Sequence, residues 1–139
     1  MNISWKINTD GTVGGEVDPD DLCGEITLEH KGFIIHDGLT YLENWFECFV
    51  NVIETASQCG KHEYDLVSEP DPLEFEFRRG EFDLSYRNQT LVGIKNSDFE
   101  KSVVKSGMEL VALIRLKIPD GELLSLCRLE RYLARRASD

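Results

Sequence analysis

Carboxylates dominate the side chains of this chain that could carry chemistry. The sequence has 26 Asp and Glu against 15 Lys and Arg in 139 residues, a formal net charge of -11. Residues 1–74 hold 16 acids and 3 Lys, which gives -13, whereas residues 75–139 hold 10 acids and 12 Lys and Arg, which gives +2. Such a field repels nucleic acid and anionic membranes and attracts basic proteins. Solubility alone is the simpler explanation of the acidity.

The densest acidic stretch, GGEVDPDDLCGE at residues 14–25, has to be tested as a calcium loop. An EF-hand requires oxygen ligands at positions 1, 3, 5 and 12, and glycine at position 6. A loop that starts at Asp10 places Gly14 at the fifth position, and a loop that starts at Asp18 places Leu22 there. Because each register is incomplete and the flanks alternate like strands, we expect a solvated loop.

Transition-metal and nucleophilic chemistry find little support in the sequence. Cys59 and His62 form a close pair, with His30 and His36 as a conceivable second pair, but we expect Cys59 and His30 to be packing residues. The nucleophile-elbow, phosphate-loop and dinucleotide patterns are absent. We therefore expect no catalytic residue, no metal and no cofactor. The alternative that stays open is a small enzyme or metal-dependent regulatory protein that uses these histidines or the Asp18–Asp21 loop.

Acidic side chains in three separate segments are the candidate partner-binding residues. One group lies in the early loop, one on the polar face of the first predicted helix, and one around a proline-flanked loop. If the fold brings two of these groups together, they form a focused anionic patch suited to a cationic protein. The candidates are Asp18, Asp20, Asp21, Glu43, Glu47, Glu54, Glu69, Asp71 and Glu74.

A basic stripe in the last segment could instead bind an anionic partner. We favour a solvated helix face with favourable charge at its C-terminus, or pairing with the acidic half of the chain, because the overall charge disfavours nucleic-acid binding. The stripe consists of Arg128, Arg131, Arg135 and Arg136.

Hydrophobic periodicity in the first half predicts a β meander followed by a helix. Alternating apolar residues indicate strands at residues 2–8 and around Ile26 and Leu28, with a short return strand at Phe33–His36. Residues 41–59 place their apolar side chains on one face at helical spacing, with Thr40 and Glu43 as a capping box. A short strand is expected around Tyr64–Val67.

The second half predicts a hairpin, a third strand and two helices. Leu73, Phe75 and Phe77, and then Phe82, Leu84 and Tyr86, alternate with polar residues on either side of Arg79-Gly80. A strand at Thr90–Lys95 follows, and then a helix capped by Ser97 and Glu100. Residues 110–118 fit either helix or strand. The final segment is an amphipathic helix with Leu123, Leu126, Leu129 and Leu133 inward.

These elements predict an α+β fold, with an antiparallel sheet of about five to six strands and two to three amphipathic helices packed on one face. The length fits a single domain over residues 1–139. The start, MNISWKINTDG, has no secretory leader and no apolar run is long enough to span a bilayer, so we expect a cytoplasmic location.

The layout resembles that of small bacterial immunity proteins, which neutralise a cognate toxin. It combines the early meander, the aromatic helix YLENWFECF, the hairpin LEFEFRRGEFDLSY and a helix that begins NSDFEKSV. The resemblance covers most of the chain in architecture, charge and size. It implies a cytosolic protein that binds a secreted toxin domain, often a basic nuclease, and blocks its active site while the acidic half mimics a phosphate backbone.

Charge and resemblance together predict a non-enzymatic protein-binding module, an immunity protein that acts through an acidic surface. Its expected partner is a cognate toxin domain, with no nucleic acid and no membrane bound. We expect the protein itself to be a monomer or a homodimer.

Overall fold

The computed structural model describes residues 1–8, 21–55, 59–67 and 69–138. These residues form an α+β fold of antiparallel strands and helices. In chain order the elements are β1 (Asn2–Ile7), β2 (Cys23–His30), β3 (Phe33–Tyr41), α1 (Leu42–Thr55), β4 (Gly60–Tyr64), β5 (Leu73–Arg78), β6 (Glu81–Tyr86), β7 (Gln89–Lys95), α2 (Asn96–Lys117) and α3 (Cys127–Ser138), with a 3₁₀ turn at Leu124–Leu126 before α3.

The strands divide into two sheets, of order β1-β2-β3 and β4-β5-β6-β7 in the described part of the chain. The predicted α+β class is confirmed, but the single sheet of five to six strands is replaced by sheets of three and four strands. β3 lies beside β7, yet side chains rather than a backbone ladder join them. Gly93 has a φ of 68° and lies where the β6–β7 register shifts, which interrupts the regular edge that a ladder needs.

The helices cover one face of the sheets and share an aromatic core with it. The Trp45 ring of α1 lies 5.0 Å from the Tyr86 ring of β6, and Phe99 of α2 packs edge-on against both Phe49 and Phe82. Edge-to-face contacts of this kind add to the free energy gained by burying the rings. The other face of β4–β7 is left free of helices in the described structure and carries the polar residues of each strand.

The first meander depends on two glycines. Lys31 and Gly32 both have positive φ, 53° and 84°, as a two-residue hairpin turn between β2 and β3 requires. Gly24 allows β1 to approach closely, since a Cβ at that position would lie 2.1 Å from the carbonyl oxygen of Lys6. The strand predictions at residues 2–8, 26–28 and 33–36 are confirmed, with β3 extended to Tyr41.

Both predicted capping boxes are wrong. Thr40 belongs to β3, and its hydroxyl accepts the indole N–H of Trp45 at 2.8 Å. The second helix begins at Asn96, one residue before the predicted cap Ser97, and no side chain caps it.

Other boundaries moved by a few residues. α1 ends at Thr55, so Cys59 lies outside the helix and is exposed rather than on its apolar face. β4 spans Gly60–Tyr64 and ends where the predicted strand began. α2 continues to Lys117, which settles residues 110–117 as helix, with Ile118 just beyond its end.

The second hairpin and the strand after it were predicted correctly, and the final helix is present but begins at Cys127, after the 3₁₀ turn, rather than at Glu122. In the last segment Leu123, Leu126 and Leu129 are all buried, and Leu133 packs partly against the core. Among the described residues, no helix combines the length and the apolar character needed to cross a membrane.

Candidate partner-binding surface

The predicted acidic residues lie in four different surroundings. Asp18 and Asp20 are outside the described residues. Glu43 is not part of an exposed stripe, because it is only 7% exposed and its Oε2 accepts the backbone N–H of Leu22 at 3.1 Å. Burial raises the pKa of the Cys23 thiol, and the charges of Asp21 and Glu43 raise it further. The negative charges of Asp21 and Glu43 therefore both lie near Cys23, at the junction of β2 and α1.

The two remaining helix carboxylates, Glu47 and Glu54, are exposed on α1. Glu54 pairs with Arg128 at 3.2 Å and with Arg135 at 3.4 Å. Arg131 pairs with Glu122 and Arg136 pairs with Glu100. Pairing with the acidic half, one of the two preferred interpretations of the basic stripe, is confirmed for Arg128 and Arg135, whereas Arg131 and Arg136 pair with acids of the second half.

Glu69 and Asp71 converge on one arginine. Arg87 lies 3.2 Å from Glu69 and 3.1 Å from Asp71, and its guanidinium stands 4.8 Å above the Tyr86 ring. The buried Asp37 lies 3.7 Å from the same guanidinium and accepts the Tyr86 hydroxyl at 2.7 Å. These three carboxylates share one arginine of their own chain, which holds them in place but offsets only one of their formal negative charges.

Glu74 belongs to a different group, which we name the acidic sheet face. It consists of Glu63, Glu74, Glu76 and Asp83 on the outer side of β4, β5 and β6. The strand register places Glu63 directly opposite Glu74, and Glu76 directly opposite Asp83. These side chains, with Lys61, line a groove of about 430 Å³. The face is therefore a concave surface with two facing pairs of like charges.

Arginine neutralises only one end of the acidic sheet face. Arg78 binds both oxygens of Asp83, at 2.7 and 2.8 Å, and also reaches Glu81 at 3.4 Å. These hydrogen bonds from Arg78, together with one from the Gly93 backbone N–H, hold the pKa of Asp83 below its ordinary value.

The other three carboxylates of the face are unpaired. Within the described part of the chain, Glu63, Glu74 and Glu76 form no ion pair. All three side chains are exposed. They therefore offer three exposed carboxylates on one surface, with Lys61 opposite Glu76 as the neighbouring cation in the strand register.

Most of the acidic sheet face was missed from the sequence, although part of its signal was present. The alternation of LEFEFRRGEFDLSY already places Glu74, Glu76 and Asp83 on one side of a hairpin. Only the pairing of β4 with β5 adds Glu63 opposite Glu74, and β4 is a short strand whose pattern does not reveal its register.

The three histidines make separate contacts in different parts of the fold. His30 donates from Nε2 to the Gly93 carbonyl at 3.3 Å, and His36 is hydrogen-bonded to Thr27 at 2.8 Å. The His62 ring lies 5.5 Å from that of Phe77. In the described residues, no three His, Cys, Asp or Glu side chains are grouped so that they could hold a metal ion.

No protein-family model matches this chain, and comparisons with curated proteins and with solved structures found no match. Its function therefore has to be inferred from the surface itself.

Proposed function

We propose that this protein is a non-enzymatic binding module whose acidic sheet face docks onto a basic protein. The most direct support is the strand register, which places Glu63 opposite Glu74 and Glu76 opposite Asp83. All four side chains line a groove of about 430 Å³. Only Asp83 of these four is paired with an arginine. The groove thus has the charge and the concave shape that suit a cationic protein surface.

Repulsion between these carboxylates lowers the stability of the free protein. Like charges directly opposite on neighbouring strands destabilise a sheet by about 0.2–1 kcal/mol a pair. Lysine or arginine side chains of a partner would remove this repulsion on binding. Complementary charge also speeds association, up to about 10⁸–10⁹ M⁻¹s⁻¹ at low salt.

The specific role that we propose is that of an immunity protein. The layout of elements resembles that of such proteins, and the acidic sheet face would meet a basic toxin domain of the nuclease type. The protein would act in the cytoplasm, as a monomer or a homodimer, by occupying the toxin rather than by chemical turnover. This role requires a toxin domain encoded next to the chain's own gene.

The test uses the product of the reading frame immediately upstream, purified as an inactive variant. We expect tight binding that salt weakens. The double variant Glu74→Gln/Glu76→Gln should associate about tenfold more slowly at low salt and depend less on salt. The control Glu109→Lys changes the net charge by the same two units at an exposed site on α2 and should bind like the natural chain.

Two results would overturn the proposal. One is the absence of binding between the natural chain and this product. The other is an equal loss of association rate in the sheet variant and in the helix control, which would show that net charge alone attracts the partner.

A further inference from the structure

Two aliphatic side chains are exposed beside the acidic sheet face. Ile34 of β3 is 51% exposed and Val92 of β7 is 56% exposed. Both alternate with buried neighbours, since Ile35 and Leu91 are fully buried. Ile34 and Val92 therefore point to the outer side of their sheets, away from the helices.

Contacts between the two sheets bring these two residues to the same seam. The backbone N–H of His36, on β3, donates to the side-chain oxygen of Gln89 at 2.7 Å, and the ring of His30, on β2, donates to the Gly93 carbonyl at 3.3 Å. Since His30 lies opposite Phe33 of β3 in the strand register, β3 and β7 run antiparallel here, with Ile34 and Val92 between the two links. We call this pair the apolar seam.

Acidic side chains lie on both sides of the apolar seam, although Asp83 is already paired with Arg78 and the ammonium of Lys31 lies close to Gly93. On β2, Glu29 pairs directly with Ile34 in the strand register and is exposed. On β6, Asp83 accepts the backbone N–H of Gly93, the residue after Val92. Glu76 lies opposite Asp83 and continues the border toward β4. An apolar centre with a polar border is the common plan of protein interfaces.

We propose that the apolar seam anchors an apolar side chain of the basic partner, while the partner's cations meet Glu29 and the acidic sheet face. This inference rests on the proposed function and adds the residues that determine how long the complex lasts. A second copy of this chain is a poor occupant, because its own acidic border would lie against the first. A cationic surface with an exposed aliphatic or aromatic residue fits both features.

The test compares dissociation rates with the same inactive upstream product. Apolar anchors act mainly on dissociation, whereas charges on the border act on association and its salt dependence. The double variant Ile34→Ser/Val92→Thr should dissociate about tenfold faster, with the salt dependence of association unchanged. The control Met108→Ser/Leu116→Ser removes two exposed apolar side chains from α2 and should leave both rates unchanged.

Each outcome has a definite meaning. If the natural chain does not bind the product, the proposed function fails and the anchor fails with it. If it binds, and the seam variant dissociates at the natural rate, only the anchor is overturned. Sedimentation velocity of the free chain adds a third outcome, since a dimer that disappears in the seam variant would make the seam a self-interface and overturn the anchor. Circular dichroism should show the same fold in both variants, because the altered side chains are half-exposed.

Discussion

At the scale of single residues, Asp83 connects the fold to the candidate surface. Its carboxylate receives hydrogen bonds from Arg78 on β5 and from the backbone of Gly93 on β7. It therefore holds three strands in register while contributing charge to the acidic sheet face. Since the same group serves both purposes, Glu74 and Glu76 are the better targets for testing binding alone.

The lowered pKa of Asp83 predicts how stability depends on pH. Its pKa in the folded chain is below the ordinary 3.8, chiefly because of the hydrogen bonds from Arg78. A carboxyl group of this kind stabilises the fold above its unfolded pKa, and the effect is lost as pH falls through the lower folded pKa. We expect Asp83→Asn to unfold more easily than the natural chain at pH 6, with the difference shrinking below about pH 4.

Urea unfolding between pH 2.5 and 7 measures this effect. Arg78→Gln removes the largest cause of the shift and should show the same convergence with the natural chain at low pH. Curves for the natural chain and Asp83→Asn that stay parallel over the whole range would contradict the assignment.

At the scale of elements, the meander of β1, β2 and β3 depends on the close approach of two backbones at Gly24. A Cβ there would lie 2.1 Å from the carbonyl oxygen of Lys6 and 3.0 Å from the Cα of Ile7. Backbone atoms cannot rotate away as a flexible side chain can. The strand pair would have to separate locally to accept any other residue.

We therefore expect Gly24→Ala to lower the free energy of unfolding by roughly 1–3 kcal/mol, the range of substitutions that force extra atoms into a packed site. Thermal and urea unfolding measure the loss. Gly38→Ala is the matched control on β3, because its nearest neighbour is a His36 side-chain atom at 3.5 Å, and it should change stability by less than about 1 kcal/mol. Equal effects of the two substitutions would show that the contact with Lys6 is not what requires glycine.

The strands were largely predictable because alternation is a local signal, and Leu73–Arg78 with Glu81–Tyr86 shows it most clearly. The helix caps were not, since Thr40 and Glu43 both match a capping box but bond to Trp45 and to the Leu22 backbone instead. Tertiary contacts of this kind leave no trace in local spacing. For the same reason the meeting of β3 and β7, and with it the apolar seam, could not be predicted from the sequence.

At the scale of the whole molecule, the uneven charge is only partly compensated by folding. Glu54 of the acidic half forms ion pairs with Arg128 and Arg135 of the other half, and Arg87 forms ion pairs with Glu69 and Asp71. The acids of β4 and β5 keep their charge unpaired. What counts for binding is thus the part of the net charge that folding leaves uncompensated.

This residual charge predicts a trade-off between stability and binding. We expect Glu74→Gln to raise the free energy of unfolding of the free protein by about 0.2–1 kcal/mol, because it removes the repulsion from Glu63. Glu109→Gln on α2 removes the same charge and should give no such gain. The gain should fall in about 1 M salt, where screening shortens the range of the repulsion. Urea unfolding at low and high salt checks this, and a loss of stability in Glu74→Gln would contradict it.

The joint between the two sheets also affects how such a protein can evolve. A ladder of backbone hydrogen bonds would fix the spacing of β3 and β7 whatever side chains they carry. Here the links run through the side chains of Gln89 and His30, which single substitutions can replace. A lineage could thus widen, narrow or tilt the outer face with few mutations and leave the aromatic core intact, so the docking surface can follow a partner that changes.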